Sequence, residues 1–160
     1  MEIYHDLGFL IFGSRLRRMS EYYIAEINKV YKAQNIEFEA TWFPVFYFLH
    51  KKEEVNLREI ADQLQVSHSA ISQLIKNLRE KGLVATHPYE QDRRQIIVQL
   101  TPHGKVLMEQ TQPIWESISQ SMDIIKQSVP ETEHLLSAFT ALEIYFNEIS
   151  LSSVILKNLK

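Results

Sequence analysis

The chain has 160 residues and a mass of 18.8 kDa. It is 45% hydrophobic and 23% charged, a balance that excludes a disordered tail protein. Its net charge is −3, it contains no cysteine, and it holds only 4 Gly and 5 Pro. Disulfides, thiolate metal sites and thiol redox sensing are excluded, and long helices with few connections are favoured over a turn-rich β-sandwich.

The longest apolar run, Trp42 to Leu49, is far shorter than the ~20 residues that span a bilayer. The first residues lack the basic start of a signal peptide, so a cytoplasmic protein with no membrane partner is expected. Charge is unevenly spread. Residues 56–105 carry seven Lys/Arg against five Asp/Glu, and the remainder carries ten against fifteen. The middle of the chain therefore tolerates an anionic partner better than the ends do.

In chain order, residues from about 5 to 33 read as one long helix. Leu16, Met19, Tyr23, Ile27, Val30 and Tyr31 recur at spacings of three and four and share a face. Gln34 to Ala40 reads as a polar connection. Thr41 is the expected N-cap of a short aromatic helix reaching about His50, with Pro44 in its first turn. Lys51 to Glu54 reads as a charged turn. Asn56 and Glu59 form a capping-box pattern ahead of a helix to Leu64. Gln65-Val66 is a tight connection, and Ser67 caps a helix to Lys81 whose buried stripe is Ile71, Leu74, Ile75 and Leu78. Gly82 suits the position just past a helix end.

The period then changes to two. Leu83 to His87 and Gln95 to Leu100 form a β-hairpin around an exposed loop, Pro88 to Arg94. Thr101-Pro102 opens a helix to about Ser128, bent near Pro113. Pro130 begins a last helix carrying Leu135, Phe139, Leu142, Phe146 and Ile149.

The two short helices make a helix-turn-helix candidate. The outward set of the second is His68, Ser69, Ser72, Gln73, Lys76 and Asn77, short or flexible hydrogen-bonding side chains that suit a DNA major groove. His68 is as well suited to packing as to DNA. At the loop tip, Asp92-Arg93-Arg94 places arginines where they reach a minor groove, with Asp92 positioned to hold Arg94 extended. Catalysis is not expected, because the glycines are scattered and no nucleophile pattern occurs. No cofactor is called for. The six histidines are dispersed and give no metal pattern.

The run Leu57-x-x-Ile60-Ala61-x-x-Leu64-x-Val66-Ser67-x-Ser69-Ala70-Ile71-Ser72 is followed by Leu78-x-x-Lys81-Gly82-Leu83-Val84. Next come Asp92-Arg93-Arg94 and Leu100-Thr101-x-x-Gly104. Together they resemble the winged helix-turn-helix of the MarR family of bacterial transcription regulators, over nearly the whole chain. The resemblance implies a mainly α fold with a small β-hairpin wing. It also implies a division into an N-terminal dimerisation helix (1–35), a winged region (36–104) and C-terminal dimerisation helices (105–160).

It further implies a homodimer on double-stranded DNA, regulating transcription, with repression of a palindromic operator as the expected mode. The implied major-groove contacts are Ser69, Ser72 and Gln73. Backbone contacts fall near Ser67 and Lys76, and the minor-groove contact is Arg94, beside Arg93. A small aromatic or anionic effector is also implied. For it, Trp42, Phe43 and Phe46 offer a stacking site and Arg15, Arg17 and Arg18 a counter-charge; the plainer alternatives, which the residues favour, are core packing for the aromatics and a solvated face for the arginines. Gln65 departs from the family by standing where glycine is common, and a positive φ there carries a cost. The competing function is a helical protein-interaction module that keeps a winged fold without reading DNA. The basic wing tip and small polar helix face favour DNA.

Overall fold

The computed structural model describes residues 6–159. A 3-10 turn, Gly8–Ile11, precedes α1 (Phe12–Ala33) and interrupts the expected long helix; its expected start at residue 5 lies outside the described residues. A second 3-10 turn, Ala40–Trp42, leads into α2 (Phe43–Lys52). Thr41 therefore lies inside that turn and does not cap α2, while Pro44 sits in the first turn, where its missing N–H leaves no bond unmade. The turn is held from outside, because the Ala40 N–H donates to Asn28 Oδ1 at 2.8 Å.

Next come β1 (Glu54–Asn56), α3 (Leu57–Gln63), α4 (His68–Glu80), β2 (Val84–Pro88) and β3 (Ile96–Leu100). β1 occupies part of the expected charged turn and makes the hairpin a three-stranded antiparallel sheet of order β1-β3-β2. Val55 faces Val98 across one ladder, and Thr86 faces Val98 across the other. Asn56 caps α3 by accepting from Arg58 N at 2.8 Å. Glu59 does not complete the capping box and instead pairs with Lys52. The long helix α5 (Pro102–Ser128) contains Pro113. The expected single last helix is divided into a 3-10 turn (Pro130–Thr132), α6 (Leu135–Glu148) and α7 (Leu151–Asn158). Ser150 Oγ caps α7 by accepting from Ser153 N.

The chain forms two compact units that divide inside α5, between Ile114 and Trp115. The first holds the core. Val45, Phe46, Leu49, Val55, Ile60, Ile71, Ile75, Leu78, Val84 and Val98 are all buried there. In the second, no described residue is buried, although it carries Leu136, Ile144, Leu151, Ile155 and Leu156.

α3 and α4 end in the same way. At α4, Gly82 N donates to Arg79 O and Leu83 N to Leu78 O, both at 2.9 Å, with Gly82 at φ +69°. At α3, Gln65 N donates to Asp62 O and Val66 N to Ala61 O, with Gln65 at φ +52°. This left-handed stop satisfies carbonyls that the helix leaves open. Glycine adopts it freely, whereas another L-residue there costs roughly 1–2 kcal/mol. Gln65→Gly is expected to raise stability by about 0.5–1 kcal/mol, after offsetting the extra freedom glycine gives the unfolded chain. A thermal melt checks this, and a lowered midpoint would show that Gln65 makes a compensating contact.

The start of α5 is clamped to the end of α4. Thr101 Oγ1 donates to Gly82 O at 2.6 Å and accepts from Gly104 N at 3.0 Å, and Thr101 N donates to Leu83 O at 3.1 Å. This geometry explains the Leu-Thr-x-x-Gly pattern. The threonine caps one helix while binding the turn that ends another.

Candidate nucleic-acid interface

α4 is amphipathic as its sequence predicts. Ile71, Ile75 and Leu78 are buried and Leu74 is half-buried. Ser69, Ser72, Gln73, Lys76 and Asn77 are exposed along the other side. Ser67 Oγ accepts from Ala70 N at 3.2 Å and lies 3.0 Å from Ser69 Oγ, so both hydroxyls sit at the helix start. Gln73 Nε2 donates to Asn77 Oδ1 at 2.9 Å, and Lys76 Nζ is 3.9 Å from Glu80. These contacts are between exposed groups, so little free energy is lost when a base edge or a phosphate replaces them.

The wing tip is organised by Asp92. Its Oδ1 accepts from Arg94 N at 3.1 Å and from Arg94 Nε at 3.2 Å, and its Oδ2 accepts from Gln95 Nε2 at 3.3 Å. The Arg94 side chain is nevertheless 93% exposed, and Arg93 is exposed beside it. The guanidinium is thus held by one edge and projects from the protein. The hydrogen bonds from Arg94 and Gln95 lower the Asp92 carboxyl below its ordinary 3.8. A lowered carboxyl contributes order above its unfolded value and loses it only as pH falls through the folded one. The clamp is therefore complete at neutral pH and opens only in acid.

Between α3 and the wing lies an open cleft of about 1040 Å³. Asn56 Nδ2 donates to Gln95 Oε1 across it and ties the cap of α3 to the wing. On its α3 wall, Asp62 Oδ2 is 3.9 Å from Arg58 Nε, and Asp62 Oδ1 is 3.9 Å from His68 Nε2. His68 is exposed at the start of α4, which removes the packing alternative for it. Arg58 and Asp62 are additions to the expected set of site residues. Their four-residue spacing and opposite charge are the signal that the sequence carries for them.

The aromatic cluster divides. Trp42 is 5% and Phe46 0% exposed, and both rings pack edge-on against Phe38, at 5.5 and 4.9 Å between centroids. Lys81 Nζ lies 5.5 Å from the centre of the Trp42 ring. Phe43 faces outward beside Tyr47, at 5.6 Å. Of the three residues expected to stack on a ligand, Phe43 alone presents its ring to solvent. A separate, nearly apolar pocket of about 240 Å³ lies behind α4, lined by Pro44, Val45, Leu64, Val66, Ile71 and Leu74 among others. Of the expected counter-charges, Arg17 pairs with Glu21 at 2.8 Å on exposed α1.

Among the described residues no single helix is long and apolar enough to cross a membrane.

Comparison with known proteins places these features. The sequence profile of the MarR family matches residues 37–95, which span α2, α3, α4 and most of the wing. The chain is 26% identical over 144 residues to the organic hydroperoxide resistance transcriptional regulator of Bacillus subtilis (strain 168), covering 89% of this chain and 91% of that protein. Its fold is similar to that of MepR of S. aureus in complex with DNA, with a TM-score of 0.70 at 20% identity, over 84% of this chain and 97% of that one. It is also similar to BpsR of Bordetella bronchiseptica, whose DNA binding is regulated by 6-hydroxynicotinic acid. That match has a TM-score of 0.64 at 22% identity, over 83% and 91% of the two chains. The helix pair, the clamped wing and these likenesses converge: residues 37–95 match the MarR family, and the chain is similar over most of its length to winged helix-turn-helix transcription regulators.

Proposed function

We propose that this protein is a DNA-binding transcription regulator that acts in the cytoplasm as a homodimeric repressor of a palindromic operator. In this reading α4 lies in the major groove and the wing in the adjacent minor groove. The observation that carries it is the pairing of two exposed elements. One is a helix face of Ser69, Ser72, Gln73 and Lys76, with Ser67 at its start. The other is Arg94, held by Asp92 yet 93% exposed, with Arg93 beside it. A protein-interaction module has no need for a fixed, projecting arginine next to a small polar helix face.

The second unit supports the dimer. A helical segment with no buried side chain among its described residues cannot offset its own conformational entropy, and its leucines and isoleucines require a partner surface. On α1, Met19, Tyr22, Tyr23 and Val30 are exposed as well. A two-fold pairing sets two reading helices about one DNA turn, ~34 Å, apart.

The test combines binding and mass. Gln73→Ala is expected to relax sequence preference, with a loss of about 1–3 kcal/mol at the matching base pair. Lys76→Ala is expected to weaken all sequences alike and to reduce the salt slope by about 0.9 for each phosphate that is no longer neutralised. Light scattering is expected to return twice the chain mass of 18.8 kDa. A monomer, or a parent chain that binds no duplex, overturns the proposal.

Release by a small aromatic or anionic ligand belongs to the same reading. It is supported by the exposed Phe43–Tyr47 pair, with Lys51 Nζ 5.6 Å from the Tyr47 ring centre as a nearby positive charge. Trp42 and Phe46 back this surface from within the core, where they respond to a ligand through packing. A ligand that prefers the released spacing by 1–3 kcal/mol lowers DNA affinity by roughly 5–150-fold.

A further inference from the structure

A helix in a major groove and a wing in the neighbouring minor groove straddle one sugar-phosphate strand, because that strand is the wall between the two grooves. In this protein the space between those two elements is the cleft of about 1040 Å³. His68 stands on its α4 side, Arg94 on its wing side, and Arg58 on α3 between them. We propose that this cleft seats the phosphates of the intervening strand. Arg58 and His68 are the contacts, and Asp62 is a built-in counter-ion that the phosphate must displace. The inference rests on the DNA-binding reading and adds residues to it.

The charges argue for displacement. Three carboxylates line the cleft, Glu59, Asp62 and Asp92. Glu59 is engaged by Lys52, and Asp92 by Arg94 and Gln95. Of the three, only Asp62 faces Arg58 and His68, at 3.9 Å from each. Those distances are too long for a strong hydrogen bond, and all three side chains are more than half exposed, so a phosphate oxygen reaches both donors readily.

The experiment needs no knowledge of the operator, because phosphate contacts do not depend on sequence. Binding of the full chain to a mixed-sequence 30-base-pair duplex is measured by fluorescence anisotropy across salt concentrations. Arg58→Ala is expected to weaken binding about 10-fold and to flatten the salt slope by about 0.9 per copy bound. Asp62→Asn is expected to tighten binding about 3- to 10-fold. Asp123→Asn, the same charge change outside the cleft, is the control and is expected to have a smaller effect. His68→Ala is expected to weaken binding in the same direction as Arg58→Ala, by a smaller factor.

If Lys76→Ala weakens binding while Arg58→Ala leaves it unchanged, the seat is wrong and the DNA-binding reading stands. If Asp62→Asn weakens binding, or tightens it no more than Asp123→Asn, the counter-ion role is wrong. If the parent binds no duplex, both readings fall together.

Discussion

Gly104→Ala is expected to destabilise the protein by about 3 kcal/mol, a fall of roughly 6–12 °C in melting temperature for a chain of this size. Helix propensity alone argues the reverse, since alanine is better than glycine in a helix by about 1 kcal/mol. Sterics decide the sign. A Cβ at residue 104 stands 2.1 Å from the carbonyl oxygen of Leu83 and 3.1 Å from its carbon. These are backbone atoms of the turn that ends α4, so no rotamer change relieves the contact. The first turn of α5 must move away, and the Thr101 bonds to Gly82 and Leu83 lengthen with it. Gly13→Ala in α1 is the control. No heavy atom lies within 4 Å of a Cβ there, so propensity acts unopposed and stability is expected to rise. A calorimetric scan of both variants checks the pair, and an unchanged midpoint for Gly104→Ala would remove the clamp from the account.

Arg94→Ala is expected to produce the largest single loss of DNA affinity, roughly 10–150-fold, the equivalent of one charged hydrogen bond of about 1.5–3 kcal/mol. The arginine is held in place before DNA arrives, by Asp92 through both its main-chain N–H and its Nε. Little conformational freedom remains to be lost on binding, so its contribution is large for a side chain this exposed. Asp92→Asn keeps the cationic tip but weakens its hold, and an intermediate loss is expected. Arg94→Lys keeps charge without the planar fork, and it too should fall between parent and alanine. Isothermal titration with a duplex separates the three. Equal affinities for parent and Arg94→Ala would place the wing outside the interface.

The helix pair and the hairpin were legible because their signals are short-range and redundant. Ser67 as a cap, the stripe Ile71, Ile75 and Leu78, and Gly82 at the stop all agree on one helix, and the structure has it from His68 to Glu80. β1 was not legible. It is three residues long with one inward side chain, Val55, too little to display a period of two, and it exists because β3 offers an open edge. The break before α7 left a signal, Ser150 ahead of Leu151, but the apolar spacing through Phe146 and Ile149 hid it. The aromatic cluster was legible as core but not residue by residue. Composition reports that rings are concentrated, not which way they point, and Phe38 draws Trp42 and Phe46 inward while Phe43 is left outside. Arg58, Asp62 and His68 come together only because α3, α4 and the wing surround one space, which no local pattern encodes.

The strand order β1-β3-β2 also sets a schedule for assembly. Thr86 and Val98 are 12 positions apart, whereas Val55 and Val98 are 43 apart. Closing the longer loop costs about 1 kcal/mol more in chain entropy, so β1 is the strand that joins last and leaves first. During synthesis α3 and α4 emerge well before β3, and Val55 stays without its partner strand until Leu100 is free of the ribosome. In that interval the chain exposes an unpaired edge and an unfinished core, the state in which such proteins aggregate. In the finished protein the amides of β3, bonded on both sides, are expected to exchange with solvent more slowly than those of β1 or β2.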